Sequence, residues 1–197
     1  MVTEHWMAWK AWVTWRDEYH ATMAMAVAKG ESNLVEWANG DHISTLSPEI
    51  AAQIGSRNCL GYTSFGLFQI NIHFNWDRLV TWFRTTDPCV IATKLKDPDH
   101  NVSIAYSIWL DRLNAGLDPW SPWSVYRFGI YRRYWDWANA WIRRIMAEQR
   151  EDVAPEVEAE PVDHASRTPG PENIGHTRFF TALYAKYLEA FNPADVG

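Results

Sequence analysis

Through residues 1–150, apolar positions recur mostly at helical spacing, with polar residues between them. Residues 4–19 predict a helix with Trp6, Trp9, Trp12 and Trp15 at every third position. A strict period of three drifts around a helix, so these rings spread over a broad apolar face. Residues 20–37 predict a second helix, in which the small-residue run Ala21 to Ala28 reads as buried and Glu31 lies further along. Asn39-Gly40-Asp41 ends it. Ser47-Pro48-Glu49 has the form of a helix start, with Ser as N-cap and Pro at the first position. Residues 57–72 hold the Gly turns and predict a short strand or extended hairpin, and residues 75–84 predict a short Trp-rich helix. Asp97-Pro98 opens another helix, supported by Val102, Ala105, Ile108, Trp109 and Leu113, and Asn114-Ala115-Gly116 closes it. Residues 131–149 predict a long helix with Trp135, Ala138, Ile142 and Ile145 on one face. The class expected is mainly α, with a small extended or β hairpin and no internal repeat.

The pattern stops at residue 151. Residues 151–175 hold four Pro, seven acids and almost no large apolar residue, a composition that cannot build a core and reads as an acidic linker. Residues 176–197 resume as an amphipathic helix, with Phe180, Tyr184, Tyr187 and Phe191 on one side and Phe179 and Leu183 beside them, before Pro193. The expected organisation is a body at 1–150, a linker at 151–175 and a C-terminal docking helix at 176–197. An isolated helix of this length is marginal in water. Each of its large apolar side chains gains about 1.5–3 kcal/mol on full burial. The segment is therefore expected to dock, either on the body or on another protein.

Charge follows the same division. The body carries fifteen basic and fifteen acidic residues, and the net charge of −6 falls within the linker. A neutral body has no electrostatic footprint for nucleic acid and no long-range attraction to an anionic wall. No apolar run approaches the roughly 20 residues of a membrane span. The start, Met1-Val2-Thr3-Glu4-His5-Trp6, has neither the basic nor the apolar region of a secretory signal. Cys59 and Cys89 fit either two buried thiols or a disulfide across a long loop, which would constrain the unfolded chain by about 3–4 kcal/mol. No His or Cys spacing suggests a metal site, His73 and His100 lack partners at ligand spacing, and no cofactor motif is present. Thirteen Trp and 15% aromatic residues can fill a core, and aromatic faces also stack on sugar rings.

Two segments carry the candidate chemistry. Glu31-Ser32 places one carboxyl group at the end of an apolar helical run. Burial there raises its pKa, so that it still holds a proton near neutral pH. Gly66-Leu67-Phe68-Gln69-Ile70-Asn71 is a Gly turn running into an apolar stretch, with amides at Gln69 and Asn71. A protonated acid against an apolar wall, facing amides that can hold sugar hydroxyls and N-acetyl groups, suits cleavage of a glycosidic bond.

The same residues carry a family resemblance. Ala26-Val27-Ala28-Lys29-Gly30-Glu31-Ser32-Asn33-Leu34 resembles the Glu-Ser helix of soluble lytic transglycosylases and goose-type lysozymes, and Ser64-Phe65-Gly66-Leu67-Phe68-Gln69-Ile70-Asn71 resembles their Gly-Leu-Met-Gln segment. Asp97-Pro98-Asp99-His100-Asn101 is similar to the Asp-Pro-x-x-Asn opening of their next helix. Trp120 to Tyr131 is similar to their Trp-x-x-Trp-x-x-Tyr-x-x-Gly-x-Tyr ending. The likeness is greatest to lysozyme-like domains of phage lysins and phage tail proteins, and it covers roughly residues 18–137.

The resemblance implies a lysozyme-like fold and cleavage of the β-1,4 bond between N-acetylmuramic acid and N-acetylglucosamine, with Glu31 as general acid and then base. It implies substrate contacts at Ser32, Ser64, Gln69, Asn71 and Tyr126, the last through a tyrosine hydroxyl touching the acid. The chain reads Tyr126-Arg127-Phe128-Gly129 where such proteins more often have Tyr-Asn-x-Gly, and it has Ser64 where many have Asp. The missing acid favours a one-carboxylate mechanism that closes a 1,6-anhydro ring, while Asp41, if its loop brings it in, would allow hydrolysis. The expected partners are peptidoglycan glycan strands and, through the C-terminal helix, a phage structural protein. The expected setting is a phage particle or host cell, with action at the bacterial wall by a route other than a signal peptide. A reading of another class is a structural or plug protein of a phage particle that keeps the fold with little activity.

Overall fold

The computed structural model describes residues 1–42 and 61–151. The chain divides into two units, Met1–Pro155 and Glu156–Gly197. The second unit, the linker beyond Glu151 and the Ser47-Pro48-Glu49 helix start lie outside the described residues. Within the first unit, seven α-helices and a three-stranded antiparallel sheet are described: α1 (Glu4–Trp15), α2 (Glu18–Ser32), β1 (Asn39–His42), β2 (Tyr62–Phe65), β3 (Ile70–Asn71), α3 (Trp76–Phe83), α4 (Pro88–Leu95), α5 (Pro98–Asn114), α6 (Ser124–Arg127) and α7 (Trp135–Glu151). A 3-10 segment, Ile130–Tyr134, leads into α7. The architecture is mainly helical, as the periodicity predicts.

The continuous helix expected over 4–19 is divided at Arg16, which adopts a left-handed conformation at φ 55°. Asp17 then caps α2, its carboxylate accepting from the His20 N–H at 2.9 Å. α2 stops at Ser32, short of residue 37, because Asn33 and Leu34 both take positive φ. The chain then turns into β1, a strand that the periodicity does not predict. β1 pairs with β2 through Asn39↔Phe65, Gly40↔Ser64 and His42↔Tyr62. The expected hairpin is β2 and β3, paired through Ser64↔Asn71 and Phe65↔Ile70. The helix opened by Asp97-Pro98 is α5, with the Asp97 carboxylate accepting from the His100 N–H at 2.9 Å. α4, capped in the same way by Asp87, is an addition to the expected set. Cys89 in α4 is disulfide-bonded. The chain's other cysteine, Cys59, lies outside the described residues.

α2 is the axis of the unit. Every residue from Ala21 to Ala28 is buried, and α1, α7 and the 3-10 segment pack around it. The four alanines of this run let these neighbours approach closely, while Met23 and Met25 fill the space between them. Beside it, Trp15, Phe68, Tyr106, Trp109, Trp120 and Trp123 form an aromatic cluster, with Trp15 stacked on Trp120 at 5.7 Å and Phe68 edge-on to Trp123 at 5.8 Å. Four of the tryptophans weighed as possible sugar platforms are therefore core: Trp15, Trp109, Trp120 and Trp123 are at most 6% exposed.

The hairpin is locked to the helices by Asn101, which is fully buried on α5. Its carbonyl oxygen accepts from the Phe68 N–H at 2.8 Å, and its amide donates to the Phe65 and Leu95 carbonyls at 2.9 and 2.8 Å. Gly66, at φ 79°, sits so close beneath that a Cβ there would lie 2.2 Å from the Asn101 amide nitrogen and 2.3 Å from the Leu95 carbonyl oxygen. No side chain fits. Asn101→Ala would leave three backbone groups without partners in the core. Urea unfolding of the full chain is expected to show a loss of about 3–5 kcal/mol.

Candidate active site

Glu31 lies one residue from the end of α2 and is half-buried. Its Oε1 accepts two hydrogen bonds from the start of α6, one from the Val125 N–H at 3.0 Å and one from the Ser124 hydroxyl at 3.2 Å. The approach of the two helices depends on Gly30. A Cβ there would lie 2.5 Å from a Val125 methyl, so any larger residue would push α6 away from the acid beside it.

Asp41, exposed on β1, acts on Glu31 through its charge. It is held at both ends. Its carboxylate accepts from the Ser64 hydroxyl at 2.5 Å, and its backbone carbonyl accepts from Thr63 Oγ1 at 2.9 Å. The Asn71 amide donates to Thr63 Oγ1 and Ser64 Oγ, both at 3.2 Å. Thus Asn71 and the buried Thr63 and Ser64 form a polar brace for a second carboxyl group.

Several influences act on the Glu31 carboxyl group. Burial is the largest influence on Glu31 and raises its pKa above the ordinary glutamate value. The Val125 N–H and the Ser124 hydroxyl pull it down by stabilising the carboxylate, and the Asp41 charge pushes it up. The balance is a raised pKa, as the apolar helix predicts.

The expected substrate residues are placed as follows. Ser32 donates its hydroxyl to the Ala28 carbonyl at 3.0 Å, within its own helix. Ser64 is 1% exposed and serves the brace. Gln69, in a left-handed conformation at φ 48°, donates its amide to the Ala38 and Gly66 carbonyls at 3.2 and 2.9 Å. Its Oε1 lies so close over Gly40 that a Cβ there would sit 2.3 Å away. Asn71 spends its amide on the brace, while its carbonyl oxygen accepts from the Phe74 N–H at 3.2 Å. Ser64 thus ties the hairpin to Asp41 of β1, Gln69 ties it to Ala38 just before β1, and Asn71 braces the hairpin from within. The Tyr126 hydroxyl bonds Asp118, and burial followed by that bond pushes its pKa up to about 12. The hydrogen bonds to Glu31 come from Ser124 and Val125, the two residues immediately before it.

Sequence reasoning passed over Ser124, Val125, Gly30 and Gly40, and treated Asp41 only as an option. The one available signal was a glycine directly before each acid. Among the described residues no group of His, Cys, Asp or Glu is arranged to hold a metal.

The opposing influences on Glu31 predict opposite shifts from two substitutions. Ser124→Ala removes a hydrogen bond to the carboxylate and should raise the Glu31 pKa further. Asp41→Asn removes a like charge and should lower it. Carbon-detected NMR titration of the Glu31 side-chain carboxyl reads both, and shifts of the same sign would contradict this electrostatic account.

No protein-family model, curated protein or solved structure matches this chain, so the chemistry of the site rests on its own geometry.

Proposed function

We propose that the protein is a peptidoglycan-cleaving glycosidase, a muramidase or lytic transglycosylase with a lysozyme-like fold that breaks the bond between N-acetylmuramic acid and N-acetylglucosamine. The observation that carries this reading is the environment of Glu31: an acid with a raised pKa at the end of a buried helix, hydrogen-bonded by Val125 and Ser124. Protonated Glu31 gives its proton to the glycosidic oxygen as the bond breaks. The carboxylate left behind is stabilised by the same two donors. It then takes a proton from the group that attacks the sugar, either water or the muramyl 6-hydroxyl.

Asp41 favours water as the attacking group. A second carboxylate, oriented by Ser64, can activate a water or offset the positive charge developing on the sugar ring. The alternative one-acid route, closing a 1,6-anhydro ring on the muramyl residue, needs no such partner. Mass spectrometry of the released muropeptides separates the two, because a hydrolysed end is heavier by one water. Hydrolysed ends are expected for the wild type.

Glycan strands are the proposed substrate, and a phage structural protein is the proposed partner of segment 176–197, carrying the enzyme to the wall. Among the described residues no helix is long and apolar enough to cross a membrane. Removing residues 152–197 should leave cleavage of purified wall intact and abolish incorporation into particles. Aggregation of the shortened chain would instead make the tail part of the body.

Glu31→Gln tests the central assignment. The amide keeps an acceptor for Val125 and Ser124 but has no proton of suitable acidity. Wall clearing is expected to fall by at least about 100-fold with the fold retained, whereas unchanged clearing would mean that another group is the acid, and absence of clearing by the wild type would favour the plug-protein reading. The wild-type rate should fall as pH rises through the raised Glu31 pKa, since the acid form is the active one. Stability carries the same sign. A raised folded pKa means that the native state binds the proton more tightly, so Glu31 costs stability above that pKa and nothing below the unfolded value. Glu31→Gln should therefore match or exceed wild-type stability at neutral pH, with any advantage vanishing in acid.

A further inference from the structure

At the opposite end of α2 from Glu31, an open cleft of about 310 Å³ is lined by Tyr19, Met23, Tyr131, Arg132, Trp135 and Asp136. Met23, fully buried, is its floor, while Tyr19 is 52% exposed. Eight residues separate Met23 from Glu31, about 12 Å along a helix axis, and none of the lining residues belongs to the Glu31–Asp41 pair or its brace.

The walls are aromatic faces set at angles to one another. Tyr19 and Trp135 have ring centroids 5.3 Å apart with planes at 51°, and Tyr131 stands at 73° to Trp135 at 6.3 Å. Behind Tyr131, Tyr126 is stacked at 5.2 Å and anchored to Asp118, which fixes the wall. Arg132 bonds the Tyr131 side chain, and Asp136 carries the opposite charge on the next turn.

This combination selects its ligand by exclusion. A cation would suit the rings, but Arg132 repels it. An anion would suit Arg132, but Asp136 and nearby Asp118 oppose it. A wholly apolar ligand would strip water from phenol hydroxyls, a guanidinium and a carboxylate without replacing their hydrogen bonds. What remains is a neutral ring with an apolar face for the aromatics and a rim of hydroxyls or amides for Arg132, Asp136 and the phenols.

We propose that this cleft is an accessory saccharide site that takes a neutral pyranose of a β-1,4-linked N-acetylhexosamine strand. It rests on the glycosidase reading for the identity of the strand. Its role would be to hold glycan beside the cleaving acid and raise the local concentration of bonds to be cut.

The test uses the full chain carrying Glu31→Gln, which cannot turn over the ligand, titrated with N-acetylchitotetraose. The Trp135 indole N–H signal is assigned by its loss in Trp135→Phe. It is expected to shift saturably, and adding Tyr19→Ala or Arg132→Gln, both at exposed positions, should weaken that binding by about tenfold. Perturbations confined to signals around Glu31, no saturable shift at Trp135, or unchanged affinity in both variants would overturn the proposal. The titration reads binding and not cleavage. Failure of the wild type to release muropeptides would therefore sink the glycosidase reading while leaving the cleft to be judged on its own.

Discussion

The site depends on a single buried amide. Asn101 holds the turn Gly66–Phe68 against α4 and α5 through three backbone hydrogen bonds. From that turn the constraint runs in two directions. Through β2 it reaches β1, whose pairing with Ser64 and Phe65 carries Asp41 into place. Through the Phe68 carbonyl it reaches Trp123, whose indole N–H donates to it at 3.0 Å. Trp123 is the residue before α6, so fixing its ring fixes the Val125 N–H and the Ser124 hydroxyl that hold Glu31. One amide thus sets both the partner carboxyl and the hydrogen-bond donors of the acid. A buried polar group with all its bonds satisfied specifies one arrangement, because every alternative strands at least one backbone group.

Glu31 itself balances opposing effects. Burial alone would favour a neutral acid, which can give a proton but cannot easily become the carboxylate that proton transfer leaves behind. The two donors from α6 lower the cost of that carboxylate, and the like charge of Asp41 keeps them from making the acid too strong. In the proposed role, in which the group loses and regains a proton, an acid held between these limits works best. Gly30 and Gly40 serve the same balance sterically. The first admits α6 to the acid, and the second admits the Gln69 side chain over the strand that carries Asp41.

Where bonding was local, the fold was legible in the amino-acid sequence. The apolar run Ala21 to Ala28 marked α2 and its burial, Asp97-Pro98 marked the start of α5, and Glu31 at the end of an apolar run marked a raised pKa. Even so, Trp-rich periodicity hid the break at Arg16, although Asp17 is a good cap, because aromatic positions every third residue continue a helical pattern through it. β1 was not legible, since Asn39-Gly40-Asp41-His42 has no apolar alternation and becomes a strand only because β2 lies beside it. The hydrogen bonds of Gln69 and Asn71 within the fold were not legible for a related reason. An amide's partners are set by tertiary geometry, and spacing cannot distinguish a group offered to a ligand from one spent on a neighbouring carbonyl.

The tryptophans show the same limit and give a physical reason for the layout. Four of the eight buried residues of α2 are Ala, and beside them the rings of Trp15, Trp109, Trp120 and Trp123 fill the core. Rings that serve as filler cannot also be platforms for sugars. The aromatic surface left at the periphery includes the cleft of Tyr19, Tyr131 and Trp135, where α7 and the 3-10 segment cross the start of α2. The buried run Ala21 to Ala28 thus separates the two ends of α2, with Glu31 at one and an aromatic trough at the other. Because that run is helical and packed on all sides, the spacing between them is a property of the core and not of a loop.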